Sequence, residues 1–405
     1  MTVERLLGQI ADVGRDAGRG GYSRHGFSPV EAQLRGWFAE QAGRRGLEVR
    51  TDGNGNLWAW WGRPGPGAVL TGSHLDSVPG GGAFDGPLGV ASALAAVDRL
   101  RAAGFVPNRP LGIVVFTEEE GGRFGVPCLG SRLMTGSLDP DVARRLTDPD
   151  GVTLAEAVSR AGLAPAGLGP DPDALADIGC FVELHVEQGR SLDRLPDPPP
   201  VAVGSSILAH GRWRLTVTGA GNHAGTTELI DRRDPMLPAA EAVLAARRAL
   251  RGRDGARATI GRLTPVPGGT NVIASSVDFW LDARAATADE ARAVVADVVA
   301  AARAAADAEG CTLAVRPESF GGTVLFDAPL RDRLVELLST SDRPAPVLPT
   351  GAGHDAGILA ARVPTAMLFV RNPTGVSHAP DEYAEPTDCE RGADALATVL
   401  EALCQ

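Results

Sequence analysis

A chain of 405 residues, 44% of them hydrophobic, is longer than one core usually organises, so two domains are expected. The 39 basic residues against 50 acidic ones leave a formal charge of −11, the wrong sign for a phosphate-backbone binder, and argue against nucleic acid as a partner. Every basic residue is arginine; with no lysine amine, pyridoxal-phosphate enzymes, Schiff-base aldolases and Walker-A nucleotide sites drop out.

Along the chain, Ser28-Pro29-Val30-Glu31 reads as an N-cap, a first-turn proline and a capping-box glutamate that open a helix to about Gly46. Apolar runs of strand length follow at 68–71, 111–116 and 181–186, with a helix over 90–103 between the first two. Such strands alternating with helices suggest a sheet covered on both faces. The Pro/Gly/Asp-rich stretch 164–177 reads as a long surface loop. After the proline run 196–200 the style changes. Strand 212–219, helix 235–251, strands 257–264 and 277–284, helix 287–309 and strand 312–318 give the β-α-β-β-α-β order of a ferredoxin-like module. A helix at 329–339, a strand at 365–370 and a C-terminal helix resume the first style. The fold class expected is therefore α/β, a large catalytic domain over 1–210 and 322–405 with an α+β module inserted at 211–321. Gly211 and Gly321 mark expected hinges.

The five cysteines, Cys128, Cys180, Cys311, Cys389 and Cys404, are scattered and never spaced as CxxC, which argues against a disulfide framework and a thiolate zinc site. No apolar run approaches the roughly 20 residues that span a bilayer, and the N-terminus has no leader pattern. A soluble, cytoplasmic protein with no membrane partner is expected. Neither the GxSxG elbow nor a GxGxxG fingerprint is present.

Five pieces carry candidate chemistry. In Thr71-Gly-Ser-His74-Leu-Asp76 a strand ends in a histidine, and Asp76, two positions on, shares its strand face and is placed to orient the imidazole. Asp85 lies in a glycine-rich loop before a helix, where it is either a helix cap or a carboxylate bridging two cations. Glu118-Glu119-Glu120 follows an apolar strand; it is either a solvated turn or a pair of roles, one carboxylate binding metal and another serving as general base. His185, in Glu183-Leu-His185-Val-Glu187-Gln188, and His378, in Gly375-Val-Ser-His378, complete the set. Asp, Glu and His without Cys suit a hydrolytic zinc or manganese site, with cobalt or nickel admissible.

In this order the five pieces resemble the dinuclear zinc aminoacylase/carboxypeptidase superfamily, and within it the hydantoinase/carbamoylase branch. The resemblance covers the chain from about Gly21 to the C-terminal helix. It implies a metallopeptidase-like catalytic domain with two divalent cations per subunit, one on His74, Asp85 and His185 and the other on Asp85, Glu120 and His378, with Glu119 as general base. It implies that the inserted module is a lid and dimerisation domain, making the protein a homodimer. Gly221-Asn-His223 matches the family's histidine loop, implying that His223 reaches the partner subunit's active site and stabilises the oxyanion. Asn271, Arg284, Gln188, Gly353 and His354 match substrate-binding positions, Arg284 gripping a substrate carboxylate. The sequence departs from the family pattern at Glu228 and Ala274, which stand where prolines are usual, at Ser77-Val78-Pro79, with an added proline, and at Ala379 after the last histidine. The activity implied is hydrolysis of a ureido or carbamoyl C–N bond in a small carboxylate, of the allantoate or N-carbamoyl-L-amino acid type. An aminoacylase or dipeptidase on the same metal site and a non-catalytic dimeric binding protein are the alternatives.

Overall fold

In the computed structural model, which describes all 405 residues, Ser28 opens the Pro29–Arg44 helix as expected, its hydroxyl accepting from Glu31 N. Glu31 does not close a capping box, however. Its carboxylate passes the cap and accepts from Phe27 N at 3.1 Å and from Arg35 at 3.2 Å, so it pins the preceding loop instead.

The chain divides into two units, Met1–Ser206 with Leu325–Gln405, and Ile207–Val324. The first is built on a nine-stranded mixed sheet. Its centre is four adjacent parallel strands in the order Leu111–Phe116, Ala68–His74, Ile178–Val186 and Thr365–Val370. These strands are almost wholly buried, which is why they read as apolar runs rather than alternating ones. The Pro87–Ala102 and Pro386–Cys404 helices pack on one another and on the strands. Twelve of the sixteen residues of Pro87–Ala102 are buried, among them Leu88, Val90, Leu94 and Val97.

The antiparallel margins were not anticipated. Leu57–Trp61 pairs with Leu111–Phe116, Glu48–Thr51 extends that edge, and Val201–Ile207 flanks Thr365–Val370 on the other side. The expected loop at 164–177 is also corrected. It contains a 3-10 turn, Pro165–Gly167, and a helix, Pro172–Asp177, because Asp171 caps Ala174 N and Pro172 supplies the first-turn φ.

The second unit has a four-stranded antiparallel sheet in the order Thr312–Gly321, Ala209–Thr218, Ser276–Ala285, Arg257–Val266. Two helices, Met236–Arg248 and Ala288–Ala308, pack on each other and on the sheet around Leu215, Val217, Phe279 and Leu281. This is the predicted β-α-β-β-α-β order. The unit begins at Ile207 and ends at Val324, where the sequence reading placed 211 and 321. Gly211 lies within a strand, opposite Ala283 and Phe320, and Gly321 ends another.

Candidate metal centre

Parallel strands end on the same side, so the residues at their carboxyl ends converge there. His74 is the last residue of its strand, Glu118 to Glu120 follow Phe116, His185 is the penultimate residue of Ile178–Val186, and His378 lies in the loop after Val370. Asp85 arrives from the loop before the Pro87–Ala102 helix. At Gly86 the backbone passes the His74 ring so closely, at φ 83°, that a Cβ would stand 2.4 Å from the imidazole. Only glycine fits there.

Two groups of ligand-type atoms result, and they share Asp85. His74, Asp85 and His185 form one, and Asp85, Glu120 and His378 the other. Asp85 Oδ1 lies 3.5 Å from His74 Nε2 and 3.2 Å from His185 Nε2, whereas Oδ2 lies 3.4 Å from His378 Nε2. Glu120 Oε2 is 3.4 Å from the same His378 nitrogen. Both buried imidazoles are oriented through the other nitrogen. His74 Nδ1 meets the Asp76 carbonyl at 3.1 Å and His185 Nδ1 the Val186 carbonyl at 2.9 Å, which leaves each Nε2 facing Asp85 without a hydrogen-bond partner.

The strand stops at His74, so Asp76 reaches the imidazole from the loop that follows, its carboxylate 3.5 Å from Nδ1. Its carbonyl is the close partner of the imidazole, and its carboxylate accepts from Glu119 N at 3.2 Å and Glu120 N at 3.1 Å. The solvated-turn reading of the three glutamates is excluded by their burial: Glu118 is 0% exposed and Glu119 6%. Glu118 turns back to accept from Gly26, Arg123 and Phe124 N, Glu119 directs Oε2 to within 3.7 Å of His74 Nε2, and Glu120 faces His378.

Burial pushes the Glu119 and Glu120 carboxyls well above the usual carboxylate range, with neighbouring carboxylates adding to it. For Asp85 burial acts the same way, but His185 and His74 overcome it and hold the group well below its ordinary value. Burial opposes charge on His74, yet Glu119, Asp76 and Asp85 together raise its pKa well above normal. The ion pairs of these carboxylates are with imidazoles. Several buried carboxylates, with orphaned imidazole nitrogens aimed among them, are short of positive charge, and that donor set fits divalent cations.

Gln188 donates from Nε2 to Asp85 Oδ2 at 2.7 Å and to Ser377 Oγ at 3.1 Å, while its Oε1 is buried and unpartnered. His354 is buried against His185, ring centroids 4.5 Å apart, and burial together with His185 holds its pKa well below normal. Gly353 beside it is exposed with open space about its α-carbon. In the second unit the short ladder of Asn222–His223 with Val272–Ile273 brings His223 and Asn271 together, Ala224 N donating to the Asn271 carbonyl. Arg284 forks onto Asp282, two residues back on the same strand face, at 2.8 and 3.1 Å.

Sequence reasoning missed Glu382. Its Oε1 accepts from both Phe84 N and Asp85 N at 2.9 Å, and burial, with Asp85, raises its pKa to about 7. The pairing spans 297 residues, and the only local signal is a glutamate four positions after His378.

Comparisons with known proteins identify the family. The chain is 36% identical to an N-carbamoyl-L-amino acid amidohydrolase of Geobacillus stearothermophilus, over 97% of this chain and 95% of that one. It is 33% identical to the allantoate amidohydrolase of Escherichia coli (strain K12), over 98% and 97%. Among solved structures, an amidase of the hydantoinase/carbamoylase family from Burkholderia multivorans superposes with a TM-score of 0.86 at 30% identity, covering 100% of this chain and 98% of that one. Residues 70–402 match the profile described as Peptidase family M20/M25/M40, and with these relatives the chain belongs to that family, on its hydantoinase/carbamoylase side.

Proposed function

We propose that this protein is an amidohydrolase that cleaves a ureido or carbamoyl C–N bond of a small carboxylate, with two divalent cations per chain. His74, Asp85 and His185 would hold one cation and Asp85, Glu120 and His378 the other. Zinc or manganese suits such a donor set, and cobalt or nickel is admissible. The observation that carries this reading is the division of Asp85, whose two oxygens face two different sets of ligand atoms.

When bound, the cations polarise the scissile carbonyl and acidify a water molecule. Glu119 accepts the proton that this water loses as its oxygen attacks the carbonyl carbon. As the C–N bond breaks, Glu119 returns the proton to the departing nitrogen. Asp76 keeps Glu119 and Glu120 in place by accepting their backbone N–H groups. We assign His223 to oxyanion stabilisation, and Gln188, Asn271, Arg284, Gly353 and His354 to substrate recognition. In support, the ladder that carries His223 is continued by Ala224 N donating to the Asn271 carbonyl, and Asp282 orients the Arg284 guanidinium.

The homodimer is proposed through the second unit. Its Met236–Arg248 helix buries an alanine face, while Leu237 and Leu244 stand exposed on another, and Leu229 and Ile230, earlier in the chain, are exposed as well. A helix apolar on two faces requires cover on both. We place the protein in a reducing compartment, the cytoplasm, in keeping with five buried, unpaired cysteines. No helix is long and apolar enough to cross a membrane.

The test is product release by metal-loaded protein from allantoate, N-carbamoyl-L-methionine, N-carbamoyl-β-alanine and an N-acetyl amino acid. Turnover of at least one ureido compound is expected. Turnover of the acetyl compound alone would overturn the ureido assignment.

A further inference from the structure

The Glu119 carboxylate receives a single hydrogen bond, from the thiol of Cys128, whose Sγ lies 3.4 Å from Oε1. The other oxygen, Oε2, is the one turned toward His74. Cys128 also grips the main chain of Glu119, its N–H donating to the Glu119 carbonyl at 2.6 Å. Cys128 occupies the N-cap of the Leu129–Thr135 helix, yet its side chain makes no cap bond. Side chains that cap helices do so from an extended backbone. The residue adopts a left-handed backbone, φ 57°, uncommon outside glycine, and is 3% exposed. The side chain thus caps nothing and is shut off from solvent, and the hydrogen bond it makes is the one to Glu119.

We propose that Cys128 is a positioning residue for Glu119. Its thiol holds Oε1 so that Oε2 is presented to the reacting water. A thiol is a weak donor, so it fixes the direction of the carboxylate while competing little for the proton the base must accept. A small buried side chain acting only as packing would account for the burial, but not for the thiol and the N–H of one residue both bonding Glu119. The inference rests on Glu119 being the base.

The test compares Cys128→Ala and Cys128→Ser with wild type in kcat, KM, metal content and Tm, and adds infrared spectra of the S–H stretch. In Cys128→Ala, kcat should fall about tenfold with KM, metal content and Tm nearly unchanged, as expected for a lost orienting bond. Cys128→Ser, which keeps a donor, should recover most of that loss. The S–H band that disappears in Cys128→Ala should shift in Glu119→Gln. A wild-type kcat in Cys128→Ala, a loss that follows metal or Tm and is not rescued by serine, or a band indifferent to Glu119→Gln would each overturn the proposal. Failure of the wild-type protein to hydrolyse any substrate would count against the amidohydrolase reading instead, and the infrared result would still decide whether the thiol engages Glu119.

Discussion

Glu118, Glu119 and Glu120 are adjacent in the chain and chemically alike, and their directions separate their roles. Glu118 satisfies three backbone N–H groups of the surrounding loops. Replacing it with alanine strands those donors and should cost about 3 kcal/mol in chemical denaturation. Glu119→Gln keeps the shape but removes the base. It should lower kcat by about 10² to 10⁴ while metal content and Tm stay near wild type. His74, Glu119, Glu120, His185 and His378 stood out because they lie at or just after apolar strands, whereas Asp85, in a glycine-rich loop, read equally as a helix cap, and its place in a ligand set came from the family resemblance. Periodicity could not say which glutamate faces which way, since adjacent residues in a loop have no period to divide them; only the family resemblance gave Glu119 and Glu120 separate roles. Cys128 and Glu382 were also invisible, because their meaning lies in partners reached through the fold, Glu119 for one and the Asp85 loop for the other.

Among elements, the Pro87–Ala102 helix does most to hold the site, since its N-terminus follows Asp85 and Gly86 directly and its body is buried against the central strands. Leu94 is 0% exposed there, and Leu94→Ala should cost about 2–5 kcal/mol in a denaturant titration. The four parallel strands and the ferredoxin-like unit were readable from continuous apolar runs and from alternation, as in Ser276–Ala285, whose residues alternate in burial along its whole length. The edge strands were not. Glu48–Thr51 is nearly all exposed and carries no buried face to show itself, while Leu57–Trp61 is a short apolar run whose partner, Leu111–Phe116, lies some fifty residues on. The Asp171-Pro172 pair did announce the helix that the composition of 164–177 concealed.

For the whole molecule, the proposed homodimer would place a second copy over the exposed Leu237 and Leu244 of the Met236–Arg248 helix. Leu237→Glu with Leu244→Glu should convert a dimer to a monomer in sedimentation, because each charge would have to be buried unpaired in the interface. The proposed two-metal site turns on Asp85, and metal stoichiometry is the measurement that decides it. Wild-type protein should bind two divalent ions per chain, and His185→Ala and His378→Ala should each weaken one. Asp85→Ala should lose both. An Asp85→Ala protein that is folded and still holds two ions would contradict the shared carboxylate and with it the two-metal site.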